Sequence, residues 1–531
     1  MQTNFTSSIF ESLQIHFEPE NLINSDFKLP LLDEYQDQEE DSNYFGILQY
    51  KVKKNSIYKR ELFFIFTIDC SASMLQTCSD NEKKINHILK TLENIILLLV
   101  DQKDMYVCIS IYTFDHDIYP IVEEIVIDND SLNFILQQIK SIEPHGMTNI
   151  QKPLINADII IGKYLHDNPE HEIYHLFMTD GEVNKGMDDP ELLKKIVNNK
   201  ACNLFIGFGI GHNSHLLHKL SSESVNRYYF IDKLKNAGLV YGEIIHNILY
   251  KSYSCVNIHI NNGFIYDWKL NKWVKDLFIG NVISEDYKTF QIITLDPSLF
   301  SCEINGNKID NVSFHETITN NNSSINSVLD TKMDSEFDLT KYKFRLHTLH
   351  LLYQIIGIHY TSPMKCERKR MITYNQKRTD LFEKLQDMLQ NMKHYMENNS
   401  LQEDELLLSL CDDIYIAYSL FNSKYGSMYC LSRMNSQGFQ SIYSVTQIPE
   451  TNGLGQGLGL GFGQCLGQSL PLSLDIDFDD NFDLDVDLDT NVNNNYISNH
   501  VMSRNISSFA SQDALFVMRS VSDGKSSTQE L

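Results

Sequence analysis

Five oxygen-bearing side chains in three short clusters are the residues of this chain best suited to chemistry. Asp69, Ser71 and Ser73 form D-x-S-x-S, Thr148 stands in a G-x-T loop, and Asp180 lies in T-D-G-E. Two carboxylates and three hydroxyls are hard donors. They suit a small divalent cation, Mg²⁺ (or Mn²⁺), which prefers octahedral oxygen coordination and keeps some of its waters. Cys70 is the one soft donor nearby, and its side chain is expected to point away from the turn. Ser, Thr and Asp also cap helices that follow strands, so any one cluster alone would be an ordinary turn. Three clusters with one donor chemistry read as a metal site.

The surrounding pattern explains how the three can meet. Residues 62–68 are apolar except for Thr67, as in a strand buried on both faces. Ile85, Ile88, Leu89, Leu92, Ile95, Ile96 and Leu99 then follow helical spacing. Strands are expected at 106–114, 117–127, 173–179, 203–210 and 225–231, and helices at 132–142, after the EPHGMT loop with Leu154, Ala157, Ile161 and Leu165 on one face, at 191–198 and at 234–249. Such alternation predicts an α/β fold, a doubly wound, mostly parallel sheet covered on both faces. Ligands of these sheets bind beyond the carboxyl ends of the strands, where all three clusters fall.

These residues carry a resemblance. Residues 61–252 resemble a von Willebrand factor A domain, a Rossmann-like fold, and D-x-S-x-S with the later Thr and Asp matches its metal-ion-dependent adhesion site. The resemblance implies that Ser71, Ser73 and Thr148 touch the metal and that Asp69 and Asp180 hold it partly through water. It also implies one coordination position left for an Asp or Glu of a partner protein, in a binding module that is not an enzyme. The later regions, including CLSRMNSQGFQSIYSV, resemble the extension of intracellular von Willebrand A proteins that accompany RING-type or Hint-type domains. The RING cysteine pattern and the Hint-type opening cysteine are missing here, so no ligase or processing activity is implied.

The chain has 531 residues and a net charge of −26, with 42% hydrophobic residues. That is enough for a sizeable core, and the acidity opposes nucleic-acid binding. The densest apolar run spans residues 95–100, far short of a membrane helix. The N-terminus has no basic region followed by an apolar block, so the chain reads as intracellular and cytoplasmic. Its ten cysteines form no C-x-x-C pair and read as reduced, mostly buried thiols, not as disulfides or a zinc site.

Residues 1–43 carry ten acids and one base, and read as an acidic arm without fixed structure. Order is expected from Tyr44, and the strand in 44–60 is expected to pair with a small antiparallel β domain at 256–310, where turn signals separate short strands. Residues 311–335 read as a loop, and 336–450 as a helical region with helices at 344–358, 378–397 and 403–421. Residues 451–531 read as a low-complexity tail. Seven glycines fall in 453–467 and eight aspartates in 474–489, and only the last apolar stretch, FASQDALFVMRSVSDG, reads as a short docking element.

Other residues have plain readings. Asp115, His116 and Asp117 read as a polar turn and His145 as a loop residue. Glu182 is a solvated neighbour of the site. His347 and His350 pack on a helix, and Lys365, Arg368, Lys369 and Arg370 read as a solvated interhelical loop. Two alternatives to a binding module stand beside it. One is an assembly protein using the α/β unit as a passive scaffold. The other is a metal-dependent hydrolase, which would need a general base near the metal from Glu182 or His145.

Overall fold

The computed structural model describes residues 9–19, 44–55, 59–78, 80–181, 183–308, 312–319, 338–360, 368–423, 425–441 and 511–524. They fall into two compact units, one of residues 1–339 with 509–531 and one of residues 340–508.

Within the first unit, β3 (Arg60–Asp69), β4 (Met105–Phe114), β5 (Ile118–Val126), β6 (Glu172–Thr179), β7 (Cys202–Phe208) and β8 (Arg227–Ile231) form one sheet in the order β5-β4-β3-β6-β7-β8. All pairs are parallel except β4–β5. The intervening helices are α1 (Lys84–Val100), α2 (Asn129–Lys140), α3 (Gln151–Asp167), α4 (Pro190–Lys194), α5 (Ser214–Leu220) and α6 (Ala237–Leu249). Central β3 reads as an apolar run because both its faces are covered. Phe63 and Ile65 pack with Ala157, Ile161 and Tyr164 of α3, while Phe64 and Phe66, pointing the other way, are equally buried. The chain builds outward from β3 in one direction, then crosses to its other side at β6. That reversal opens a crevice at the carboxyl ends of β3 and β6, where such sheets bind ligands.

The strand that the α/β unit leaves unpaired finds its partners elsewhere. β2 (Tyr44–Val52) pairs antiparallel with β1 (Phe10–Pro19) and with β13 (Tyr287–Thr294). With β10 (Phe264–Asp267) and β11 (Lys272–Val274) they make a sheet ordered β1-β2-β13-β10-β11. A second sheet runs β12-β9-β14-β15, from β9 (Lys251–Asn261), β12 (Asp276–Ile283), β14 (Ser301–Lys308) and β15 (Ser313–Thr319). Leu13, Ile15, Leu48, Tyr50, Ile258, Ile260, Ile292 and Ile304 share one core between them. Arg60 is buried at the start of β3, and Lys251 of β9 reaches the Glu172 carboxylate that Arg60 also holds. Arg60 donates to the last carbonyls of α6, Ile248 and Leu249, and to Glu172 at 3.3 Å, just where α6 runs into β9.

Two expectations are overturned here. Residues 10–19, expected to lie in an arm without fixed structure, are a strand. Leu13, Ile15 and Phe17 alternate inward, and a register shift between Phe10 and Ser12 turns Phe10 to the same core. Net acidity over 43 residues hid this short period-2 pattern. Residues 313–319 likewise add β15 as an edge strand rather than a loop.

The 451–531 tail also contains structure. Helix α11 (Gln512–Asp523) packs against α1 and α6. Ala514, Val517, Met518 and Val521 form its buried stripe. Gly238 and Gly242 let its backbone approach α6, since a Cβ at either would stand 2.4 Å from a Cα of α11. Ser511 caps its start, and Asn94 donates to the Val521 carbonyl at 2.8 Å near its end. The Gly-rich and Asp-rich stretches lie outside the described residues.

The second unit contains α7 (Thr340–Tyr360), α8 (Arg368–Asn398), α9 (Glu405–Ser419) and α10 (Gly426–Phe439). Leu349, Leu352, Leu385, Met392, Leu410, Ile414 and Leu431 are among its buried residues. The fourth helix was not expected as an element, and Arg368–Arg370 belong to α8 instead of a loop. Lys365 lies outside the described residues. Asp413 and Arg433 form a buried ion pair between α9 and α10. His347 is half-buried in α7, and desolvation there lowers its imidazole to about 4.

Candidate metal centre

Strand register assembles the site. Ile68 of β3 is level with Met178 of β6, so Asp69 comes level with Thr179 and one residue from Asp180. The Thr179 hydroxyl donates to Asp69 Oδ2 at 2.6 Å, and the Ser71 N–H donates to Oδ1 at 2.9 Å. The D-x-S-x-S turn then enters a short 3-10 helix, Ala72–Leu75. Its hydroxyls form a chain. Ser73 Oγ donates to Asp180 Oδ1 at 2.7 Å, and Ser71 Oγ lies 2.8 Å from Ser73 Oγ. Ser73 has given its only proton to the carboxylate, so Ser71 must donate to Ser73. Both hydroxyl oxygens keep lone pairs for a further ligand.

Thr148 arrives from the loop before α3. Its N–H donates to Asn184 Oδ1 at 2.8 Å, and its carbonyl accepts from the N–H groups of Asn184 and Lys185. A Cβ added at Gly181 would meet Thr148 Oγ1 at 3.3 Å and Ser73 Oγ at 3.9 Å. The two hydroxyls therefore flank one small space that glycine leaves open. Thus all five expected residues, Asp69, Ser71, Ser73, Thr148 and Asp180, are brought together by three loops at the carboxyl ends of β3 and β6.

The electrostatics favour a cation. Asp69, at 0% exposure, and Asp180, at 2%, are both buried. Burial pushes the Asp69 carboxyl up to about 6, with the Asp180 charge adding to it, against the bonds from Thr179 and Ser71. Among the described residues the cationic partner of Asp180 is Lys84 at the start of α1, whose Nζ donates to Oδ2 at 2.6 Å. Two buried carboxylates, three hydroxyls and the space at Gly181 fit a hard divalent ion.

Sequence reading missed Lys84 because it reaches Asp180 from 96 positions away. It also missed what Asp115 does. This fully buried carboxylate holds His116 Nδ1 and His145 Nδ1, each at 2.7 Å, and accepts the Asp117 N–H at 2.7 Å. Burial works against its charge, but these bonds keep its carboxyl below the usual range. Around it, His145 N–H donates to the Cys70 carbonyl and Asn149 N–H to the Asp115 carbonyl. Asp115 thereby joins the loops that carry Ser71 and Thr148. The polar turn is a brace. Cys70 is buried beside it, and Glu182 lies outside the described residues.

Strand order, the reversal at β3 and the three converging loops decide the architecture. The α/β unit has the fold of a von Willebrand factor A domain. VWA2, an ArnB paralog from Sulfolobus acidocaldarius, is similar over 80% of this chain and 97% of that chain, with 14% identity and a TM-score of 0.43. A von Willebrand factor type A protein from Catenulispora acidiphila is similar over 81% and 91%, with 9% identity and a TM-score of 0.41. Proximal thread matrix protein 1 of the mussel byssus, in a structure with a zinc-occupied MIDAS motif, is similar over 40% and 52%, with 13% identity and a TM-score of 0.29. No family model and no curated protein matches the chain. Among the described residues no helix is long and apolar enough to cross a membrane.

Proposed function

We propose that this chain is a metal-dependent protein-binding module. Ser71, Ser73 and Thr148 would hold Mg²⁺ or Mn²⁺, with Asp69 and Asp180 completing the charge. The bound ion supplies a positive centre to which an Asp or Glu of a partner protein can coordinate. The observation that carries the reading is the pair of buried carboxylates beside the space at Gly181, Asp69 held by the Thr179 hydroxyl and the Ser71 N–H, and Asp180 by the paired Ser71 and Ser73 hydroxyls. The von Willebrand A unit needs no catalytic group for this role. The β sandwich and the helical unit offer further docking surface, as the resemblance to intracellular von Willebrand A extensions implies. Buried thiols such as Cys108 and Cys302, packed as small hydrophobes, support an intracellular setting.

The test is capture of partners from a cell extract with the full chain, with and without EDTA, beside Asp69→Ala. Calorimetric titration with Mg²⁺ and Mn²⁺ runs in parallel. Partner recovery that depends on the metal and on Asp69 supports the module. Recovery indifferent to both overturns it.

One observation favours a second reading. Lys84 already neutralises Asp180, as expected if the ammonium replaced the ion and the unit were a passive scaffold. Calorimetry separates the two, since a scaffold binds neither Mg²⁺ nor Mn²⁺.

A further inference from the structure

We propose that Cys78, Asp80 and His87 form a second metal site, separate from the oxygen cluster and selective for a zinc-class ion. Their ligand atoms, one thiol sulfur, one carboxylate oxygen and one imidazole nitrogen, all lie within 4.8 Å of one another. His87 Nε2 stands 3.1 Å from Asp80 Oδ2 and 3.3 Å from Oδ1. Two ligands bound to Zn²⁺ at ~2.0 Å with tetrahedral angles are themselves ~3.3 Å apart, so this edge of the site already has its bound length.

The backbone holds the ligands on one side. Cys78 N–H donates to the Glu82 carbonyl at 2.7 Å, and Asn81 N–H to the Cys78 carbonyl at 3.0 Å. Asn81 takes a left-handed φ of 66° to make the turn. His87 then sits on the first turns of α1, facing back towards the loop. Cys78 and His87 are partly buried and Asp80 is exposed, so an ion reaches the site without unfolding it.

Donor chemistry sets the ion. Sulfur and imidazole nitrogen reject Mg²⁺ and Ca²⁺ and favour Zn²⁺ or Co²⁺, whereas the Asp69–Asp180 cluster offers oxygen alone. Three protein ligands leave a fourth position for water or for a group from another molecule. Burial and the Asp80 charge push the Cys78 thiol up, so binding releases the thiol proton to solvent. The loop lies between Ser73 and Lys84, so a bound ion fixes the segment that delivers Lys84 to Asp180.

The test uses the full chain, stripped of metal and kept reduced, in an Asp69→Ala/Thr148→Ala background that disables the oxygen cluster. Titration with Co²⁺ is expected to produce a thiolate-to-cobalt charge-transfer band that saturates at one equivalent and is displaced by Zn²⁺. Cys78→Ser should abolish the band. His87→Gln should weaken binding by more than the roughly 10–100-fold that an outer-shell change costs. The same Cys78→Ser comparison in the otherwise unsubstituted chain under excess Mg²⁺ covers a background that folds poorly. Saturation without a thiolate band, or a band that survives Cys78→Ser, overturns the proposal. In the otherwise unsubstituted chain, Co²⁺ entering only the oxygen cluster gives the first of these results.

Discussion

Lys84 donates to Asp180 Oδ2 at 2.6 Å while Ser73 donates to Oδ1 at 2.7 Å, so one buried carboxylate is shared between the ammonium at the start of α1 and the hydroxyl chain. The ammonium repels any ion that binds beside it. Lys84→Met is expected to tighten Mg²⁺ binding roughly tenfold by calorimetry, since about 1.4 kcal/mol of relieved repulsion is a factor of ten. It should also destabilise the metal-free protein by about 1–3 kcal/mol in urea, because Asp180 loses a buried partner. A variant with unchanged Mg²⁺ affinity would show that Lys84 stands clear of the ion.

Gly181 leaves the space between Thr148 and Ser73. Its backbone lies outside the left-handed region, so a side chain there strains no φ and acts only through volume. Gly181→Val would push branches past a Cβ already 3.3 Å from Thr148 Oγ1. The expected outcome is loss of Mg²⁺ binding on the order of 100-fold with a far-ultraviolet spectrum unchanged. Intact binding would move the ion away from Thr148.

Gly242 tests the docking of α11. In an open helix, Gly→Ala stabilises by ~1 kcal/mol. Here a Cβ would stand 2.4 Å from Met518 Cα, so the sign should reverse. Gly242→Leu is expected to release α11 and to speed proteolytic cleavage near residues 511–524 at least several-fold, with the α/β sheet still folded. Equal cleavage rates would show that α11 tolerates the displacement.

Buried histidines give a pH dependence of known sign. His175 lies between Thr67 and Asn203, each 3.0 Å from a ring nitrogen, and burial lowers it to about 4. Nδ1–H donates to Asn203 Oδ1, and Nε2 accepts from the Thr67 hydroxyl, an arrangement that needs the neutral ring. A lowered value means that its contribution is fully present above 6.5, the ordinary histidine value, and is lost as pH falls towards 4. His212 and His246 act in the same direction. Asp69 acts oppositely, because its raised value stabilises below the ordinary carboxyl range and is lost as pH rises through about 6. Urea denaturation at pH values from 7 down to 4 is expected to cost about 1–3 kcal/mol less in His175→Gln than in the parent. An identical slope in both would remove His175 from the linkage.

What could be read in advance was what is local. Each metal cluster is a short motif at the end of an apolar run, and both the donor type and the strand end are written within a few residues of each other. Buried parallel strands need apolar side chains on both faces, so β3 and β6 are visible as runs, and the amphipathic stripe of α1 is equally plain.

What tertiary structure decided is whatever depends on partners remote in sequence. Residues 10–19 become a strand because β2 offers an edge and the sandwich core takes Leu13 and Ile15. β-pairing depends on such neighbours more than on propensity. The last helix acquires meaning only where Gly238 and Gly242 admit its backbone. The charge balance of the metal centre is likewise hidden in the chain. Five residues announce an oxygen site, but the counter-ion at Asp180 and the brace at Asp115 exist only once the parallel register brings their loops to one crevice. Pairwise charge interactions act across space, and sequence separation carries no record of them.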